Sequence, residues 1–328
     1  MSTVLNSPSG SANPATSLSA LWAYLLPALD HILKSPSELH NRKAPAIDFG
    51  LYAGIHSACY NYFTAQTEHQ PASANTNKLA PQKSPHTGSD IYAQLDNYFA
   101  EAAREISLNA PIDDIPLVQY IVNSYNRYTL GAQSANRLLN YINRHYVKRA
   151  VDEGRGWLNL ADVIQALAKD TKEITPEDTR EIMAKKIRES RIKELAKWGF
   201  LEGQTPEQLA FAESCAEAAS SLDRVVPISS LAHRRFRTEV IEPLLIVPKV
   251  KATSKPKHSI PKSPTTPNPA RPKGRLARAL REVLESNNLD AKARLDLASG
   301  LAKVLEAVGI PSDHTLRKKL DKYISSSS

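Results

Sequence analysis

The stretch that most constrains the fold is residues 117–157. Apolar or small side chains recur in it at intervals of three and four, a spacing that places them on one stripe of an α-helix. They are Leu117, Ile121, Tyr125, Tyr128, Ala132, Ala135, Leu139, Ile142 and Tyr146. Lys148 and Arg149, followed by Gly154 and Gly156, form a typical helix stop signal. The stretch therefore predicts a long amphipathic helix that ends before these glycines.

The bulk composition favours a helical, folded protein. The chain has 328 residues, of which 41% are hydrophobic, enough for one or two domains with real cores. Alanine, leucine, arginine and lysine are plentiful, which favours helices. The apolar stretch 18–33 contains Pro27 and Asp30, so we expect neither a membrane span nor a signal peptide. Cys59 and Cys215 are too few for a disulfide framework, and we expect a soluble protein of the cytoplasm or nucleus.

The positive charge is concentrated in one segment. The chain carries a net charge of +8, and residues 249–275 hold eight basic residues and no acidic one. Without them the chain has 34 basic and 34 acidic residues. A spacer is the leading interpretation of this segment, ahead of a nuclear-import tract and a weak phosphate binder. Its Ser263-Pro264 and Thr266-Pro267 pairs are possible phosphorylation sites. Because the remainder is neutral, nucleic acid is an unlikely partner.

Helical patterns and turn signals divide the chain into five parts. We expect a disordered N-terminus over 1–15 and a helical bundle over 16–157. Further helices follow over 158–246, then a disordered Lys/Pro-rich linker over 247–275. A small C-terminal helical unit fills 276–324. The predicted fold class is all-α.

Two tracts carry a family resemblance. Residues 141–149 read YINRHYVKR and are followed by DEGR at 152–155, and together they resemble the fifth helix of the first cullin repeat. Residues 48–66 resemble the second cullin helix through Leu51, Tyr52, Ile55, His56 and Cys59, and depart from it at Asp48, Ser57 and Ala58. The likeness covers less than half of the chain and fades beyond Trp157. Nothing after residue 200 resembles the C-terminal cullin homology region, so no RING protein is expected as a partner.

The resemblance implies a docking role. In cullins the second and fifth helices lie side by side and bind the BTB/POZ-fold adaptor of F-box ubiquitin ligases, and through it F-box proteins. The candidate partner-binding residues are Leu51, Tyr52, Ile55, His56, Tyr125, Tyr128, Thr129 and Leu130. For Tyr52, Tyr125, Tyr128 and Leu130, interface and core both remain open, whereas Tyr98, Tyr141 and Tyr146 are assigned to the core.

Two functions follow from these features. The first is a cullin-like scaffold fragment in ubiquitin-dependent degradation, acting within a ligase or as a competitor that occupies adaptors. The alternative is a non-catalytic helical interaction protein that uses its basic linker and C-terminal helices on nucleic acid or another partner.

Catalytic and metal-binding patterns are weak. His56 and Cys59 share a helix face, but without a second pair at ligand spacing core packing is favoured over zinc. Residues 152–155 are interpreted as a solvated turn and His145 as structural, because no nucleophile or partner carboxylate is identifiable beside it. No glycine-rich phosphate-binding motif is present in the sequence. We expect no enzyme activity, no cofactor and no metal.

Overall fold

The computed structural model describes residues 13–35, 45–68, 87–158, 161, 163–165, 180–247, 274–286 and 289–327. Within these ranges every regular element is a helix, and the predicted all-α class is confirmed. Most of the predicted disordered N-terminus and of the basic linker lies outside the described residues. No helix in these ranges has both the length and the apolar character needed to cross a membrane.

The helices are numbered here in chain order. They are α1 (Leu18–Lys34), α2 (Phe49–Glu68), α3 (Ser89–Leu108), α4 (Asp114–Leu138), α5 (140–155), α6 (Arg180–Ala196), α7 (Pro206–Ala219), α8 (228–245), α9 (Arg275–Glu285), α10 (Ala291–Ala307) and α11 (Thr315–Ser327). Helices α5 and α8 are continuous runs in which α-helical turns alternate with π-helical turns.

The predicted long helix of residues 117–149 is in fact two helices. The backbone leaves helical geometry at Leu139, with φ −101° and ψ 25°, and α5 starts at the next residue. Two asparagines on either side of the break explain it. The Asn143 side chain donates to Asn136 Oδ1 at 2.8 Å, and the two side-chain oxygens accept backbone N–H groups at the start of α8, at Ser229 and Ile228. The break thus provides caps for another helix.

The C-terminal end of α5 follows its sequence signal. Gly154 has φ +79°, a left-handed conformation that glycine adopts without the cost that a Cβ imposes. Arg155 pairs with Glu153 at 3.0 Å, and Arg149 lies 3.9 Å from Glu153. Helical backbone geometry is therefore interrupted at Gly154, as the stop signal predicted. Asp152 and Glu153 are exposed, as expected for a solvated turn.

Helix α8 is packed between α3 and α4 and forms the centre of the core. Tyr128 is only 2% exposed, and its hydroxyl donates to the carbonyl oxygens of Phe99 in α3 and Ala232 in α8, each at 3.2 Å. Arg235 in α8 forms a bidentate ion pair with Asp96 in α3. The helices after residue 157 therefore share a core with the first part, because α8 packs between α3 and α4.

The C-terminal helices also belong to this core. Leu276, Leu280 and Val283 of α9 are buried against α4, in the same hydrophobic cluster as the N-terminal helices. Helix α10 approaches α4 so closely that a Cβ on Gly300 would lie 3.0 Å from Val122. The prediction of a separate unit over 276–324 is wrong. The apolar side chains of α9 and α10 pack against α4 as well as against one another.

The first prediction tests this shared core. Gly274 lies against the carbonyl of Leu245, so the end of α8 and the start of α9 are adjacent in the fold. Co-expressed fragments 1–247 and 274–328 should therefore copurify as a folded complex. Leu280→Asp places a charge at a buried position and should abolish copurification, whereas Arg278→Asp on the exposed side of α9 should not. A fragment 274–328 that elutes alone would contradict the shared core.

Two titratable groups at the edge of α8 have opposite shifts. Glu217 of α7 accepts a hydrogen bond from Ser230 Oγ at 2.6 Å, and burial raises its pKa to about 7. His233 lies 2.6 Å from Thr129 through Nε2, and burial lowers its pKa to about 4. The Glu217 contribution to stability is present below pH 4.5 and lost as pH rises through 7, whereas that of His233 is present above pH 6.5 and lost as pH falls through 4.

The second prediction follows from this opposition. Between pH 4.5 and 7, Glu217→Gln should gain up to about 3 kcal/mol of unfolding free energy relative to the wild-type protein, because over this range the unfolded wild type releases the Glu217 proton that the folded protein retains. Between pH 4 and 6.5, His233→Gln should lose a similar amount relative to the wild type, because only the wild type gains stability as its unfolded-state imidazole loses its proton. Urea unfolding at several pH values measures both trends, with the exposed Glu202→Gln as the charge-matched control. Parallel pH profiles for all three variants would refute the assignment.

Candidate partner-binding surface

Tyr141 lies at the centre of an aromatic surface formed by α2 and α5. The ring of His145, one turn further along α5, stacks on it with centroids 4.1 Å apart and planes at 25°. His56 and Tyr60 of α2 meet the same ring edge-on, at 5.5 and 6.0 Å. Phe63 supports it from below at 5.3 Å and is itself buried. We call Tyr52, His56, Tyr60, Tyr141 and His145 the aromatic–histidine face.

The start of α2 is fixed by a local cap. Asp48 departs from the cullin pattern, and its carboxylate accepts the backbone N–H groups of Gly50 at 2.8 Å and Leu51 at 3.3 Å. This is the role that aspartate commonly has at a helix N-terminus. The departure therefore has a structural reason in this chain.

The end of α2 is tied to α3. Gln66 donates to Asp90 at 2.8 Å and accepts the backbone N–H of Gly88 at 2.9 Å, while the Tyr62 hydroxyl also donates to Asp90. The C-terminal end of α2 is therefore fixed against α3, while Asp48 fixes where the helix begins.

The helical period divides the predicted α2 residues into two sets. Tyr52 is 40% exposed and His56 is also exposed, as expected for partner contacts. Leu51 is half-buried, and Ile55 is fully buried. The prediction that Ile55 contacts a partner is therefore wrong, because this side chain faces the core. The expectation that His56 packs in the core is wrong as well.

Ser57 and Ala58, the two positions within α2 that differ from the cullin pattern, have different environments. Ser57 is exposed, whereas Ala58 is buried in the core. The side chain at position 58 therefore bears on packing rather than on a partner.

The predicted α4 residues lie elsewhere. Tyr125 and Tyr128 are buried, and their rings contact Phe236 of α8 at 5.2 and 5.4 Å. Thr129 contacts His233 of α8, and Leu130 is half-buried. The α4 surface is covered by α8, so Tyr125 and Tyr128 are core residues and the prediction that they bind a partner is wrong. The structure groups these side chains with α8 and not with Tyr52.

Three members of the face were missed by the sequence analysis, which assigned Tyr141 to the core and His145 to a structural role and passed over Tyr60. A signal for them was present. His56 and Tyr60 are four residues apart, as are Tyr141 and His145, and residues at this spacing share a helix face. Two such pairs on the two helices already aligned with cullins indicate a common surface.

Positive charge flanks the face, while His145 on it is held closer to neutral. Burial, Arg144 and His56 lower the pKa of His145, and burial raises the pKa of the Tyr141 hydroxyl. Arg144 and Lys148 are exposed beside the face on α5. The arrangement suits a partner with an apolar groove and an acidic rim.

The aromatic–histidine face does not bring together the ligands of a metal site or the side chains of a catalytic site. Cys59 is buried and His56 is exposed, so the two sulfur and nitrogen donors do not face one another. Across the described part of the chain, no group of three or more His, Cys, Asp or Glu side chains is placed to hold a metal ion. The face offers aromatic area and hydrogen-bonding edges for protein binding.

Comparison with known proteins indicates a distant relationship. No family model and no solved structure matches the chain. It is 24% identical over 141 residues to Cell division control protein 53 of Saccharomyces cerevisiae, and 24% identical over 105 residues to Cullin-1 of Dictyostelium discoideum. The matches cover 42% and 32% of this chain but only 17% and 14% of those proteins. The chain therefore has a partial, distant similarity to cullins, which is consistent with the family resemblance drawn from its sequence.

Proposed function

We propose that this chain is a cullin-like, non-catalytic scaffold that binds a BTB/POZ-fold adaptor of F-box ubiquitin ligases through its aromatic–histidine face. One observation carries the proposal: α2 and α5, the two helices that resemble the adaptor-docking helices of cullins, jointly expose this face. The distant cullin similarity supports a scaffold role.

The chemistry of the face supports protein docking. Tyr52 is 40% and Tyr60 is 52% exposed, large apolar areas for a protein surface. Tyrosine makes an effective interface anchor because it buries a large area while few rotamers are lost. Tyr141 is half-buried between His56, Tyr60 and His145, so its ring is already oriented before a partner arrives. This preorganisation lowers the entropic cost of binding.

The third prediction measures adaptor binding. Titration calorimetry of the full chain against the adaptor of the source organism, in complex with an F-box domain, should show saturable binding. His56→Ala with Tyr60→Ala removes two exposed rings and should weaken affinity at least about tenfold, the usual effect of losing interface anchors. Leu108→Ala, at a side chain 80% exposed on α3, is the matched control and should bind normally.

Two results would refute the docking proposal. One is a folded wild-type chain that does not bind the adaptor. The other is binding that the double variant leaves unchanged, because that would place the adaptor on another surface. Circular dichroism confirms that each variant is folded, and Ile55→Ala is avoided because this side chain is part of the core.

The fourth prediction concerns competition. The chain holds no segment that resembles the RING-recruiting region of cullins, so these 328 residues alone should occupy an adaptor without supporting ubiquitin transfer. Added to a reconstituted F-box ligase, the chain should lower substrate ubiquitylation in proportion to adaptor occupancy, and excess adaptor should restore it. The His56→Ala, Tyr60→Ala variant should have little effect. Undiminished ubiquitylation at full adaptor occupancy would rule out the competitor role.

A further inference from the structure

A second site opens where the turn between α6 and α7 meets α10. It is a pocket of about 370 Å³, lined by two aromatic rings, two carboxylates and the edge of a glycine turn. Its lining includes Trp198, Gly199, Gln204, Glu207, Phe211 and Glu306. These residues belong to neither α2 nor α5, so the pocket is distinct from the aromatic–histidine face.

Backbone motifs fix the walls of the pocket. Helix α6 ends in a Schellman turn, in which the N–H of Phe200 donates to Leu195 and that of Gly199 donates to Ala196, with Gly199 at φ +83°. Helix α7 then begins with a capping box between Thr205 and Gln208. The Schellman turn and the capping box adjoin one another in the chain. They fix the backbone near Trp198 and Phe211, the two aromatic residues of the pocket.

The two aromatic side chains of the pocket, Trp198 and Phe211, are only partly buried. Leu195, Phe200, Ala212 and Ala216 form a small buried cluster between α6 and α7, and Trp198 packs against it while remaining half-buried. Phe211 lies on the outer side of α7 and is 47% exposed. Both rings therefore line the pocket with surface that the core does not cover.

The charge in the pocket is negative. Glu207 is exposed, and hydrogen bonds from its own backbone N–H and from Thr205 lower the pKa of its carboxyl. Glu306 accepts a hydrogen bond from Arg317 at 3.2 Å, yet its side chain stays 32% exposed. The neighbouring Lys197 is bound to Glu194 at 2.6 Å. A carboxylate beside two aromatic faces is suited to a cation.

We propose that this pocket binds a lysine or arginine side chain of a basic peptide segment in a partner protein. The aromatic rings attract the cation through their negative faces, and Glu207 adds Coulombic attraction. A net charge of +8 on the chain disfavours basic peptides in general, so their binding depends on this local acidic and aromatic surface.

The test is a nuclear magnetic resonance titration of the full chain with a peptide of alternating lysine and glycine. The chain has three tryptophans, and Trp198→Phe identifies the indole N–H signal of Trp198. This signal should shift saturably, while that of Trp22 stays in place. A peptide with acetylated lysines should bind at least about tenfold more weakly, because it lacks the cation.

Variants locate the site. Glu207→Gln with Phe211→Ala changes two exposed residues and should weaken binding about 3- to 30-fold, the range expected when a cation–π contact is lost. Glu202→Gln with Leu222→Ala, also exposed, is the matched control and should bind like the wild type.

Four outcomes would overturn the proposal. The Trp198 signal could fail to shift, or it could shift equally with the acetylated peptide. Binding that appears only after the basic residues of 248–273 are replaced by serine would assign the pocket to the chain's own basic segment. A shift that depends on protein concentration without any peptide would assign it to a second copy of the chain.

Discussion

The packing of α8 against α3 and α4 is the constraint on which the rest of the structure depends. Phe236 inserts its ring between Tyr125 and Tyr128, at 5.2 and 5.4 Å. Arg234 is almost fully buried, and its guanidinium donates to the carbonyls of Ser221 and Arg224 at 2.9 and 2.8 Å. A buried cation is tolerated only when such acceptors surround it. These bonds also fix the turn before α8, and with it the position of α7.

The local features of the fold were predictable from sequence, and the pairing of helices was not. Helix-forming composition, apolar stripes and the stop at Gly154 act over a few residues, so the all-α class and most helices follow from them. The break at Leu139 depends instead on Asn136 and Asn143 capping α8, some 85 residues further along the chain. The sequence of residues 136–143 alone does not indicate that these side chains contact the start of α8. The same limitation led to the wrong separation of the C-terminal helices.

The candidate site shows the same division at the level of single side chains. The sequence analysis kept Tyr125 as a candidate interface residue and assigned Tyr141 to the core, and the structure reverses the two. Tyr125 is buried because α8 covers it, while Tyr141 remains half-exposed beside α2. The resemblance placed docking on residues 48–66 and 117–149. Its candidate residues in the second segment lie in α4, and Ile55 in the first is buried in the core. Burial, which distinguishes an anchor from a core residue, depends on the whole fold.

The connection between α5 and α8 links the two proposed binding surfaces through one frame. The backbone N–H of Val225 donates to the carbonyl of Arg155 at 2.9 Å, and the Arg155 guanidinium lies 5.7 Å from the Tyr146 ring. Trp157 packs on both the main core and the α6–α7 cluster. The frame that orients the aromatic–histidine face is thus continuous with the frame of the pocket between α6, α7 and α10. Because the two proposed sites use different side chains on this shared frame, partners bound at both would be held at fixed positions relative to one another, as the proposed scaffold role requires.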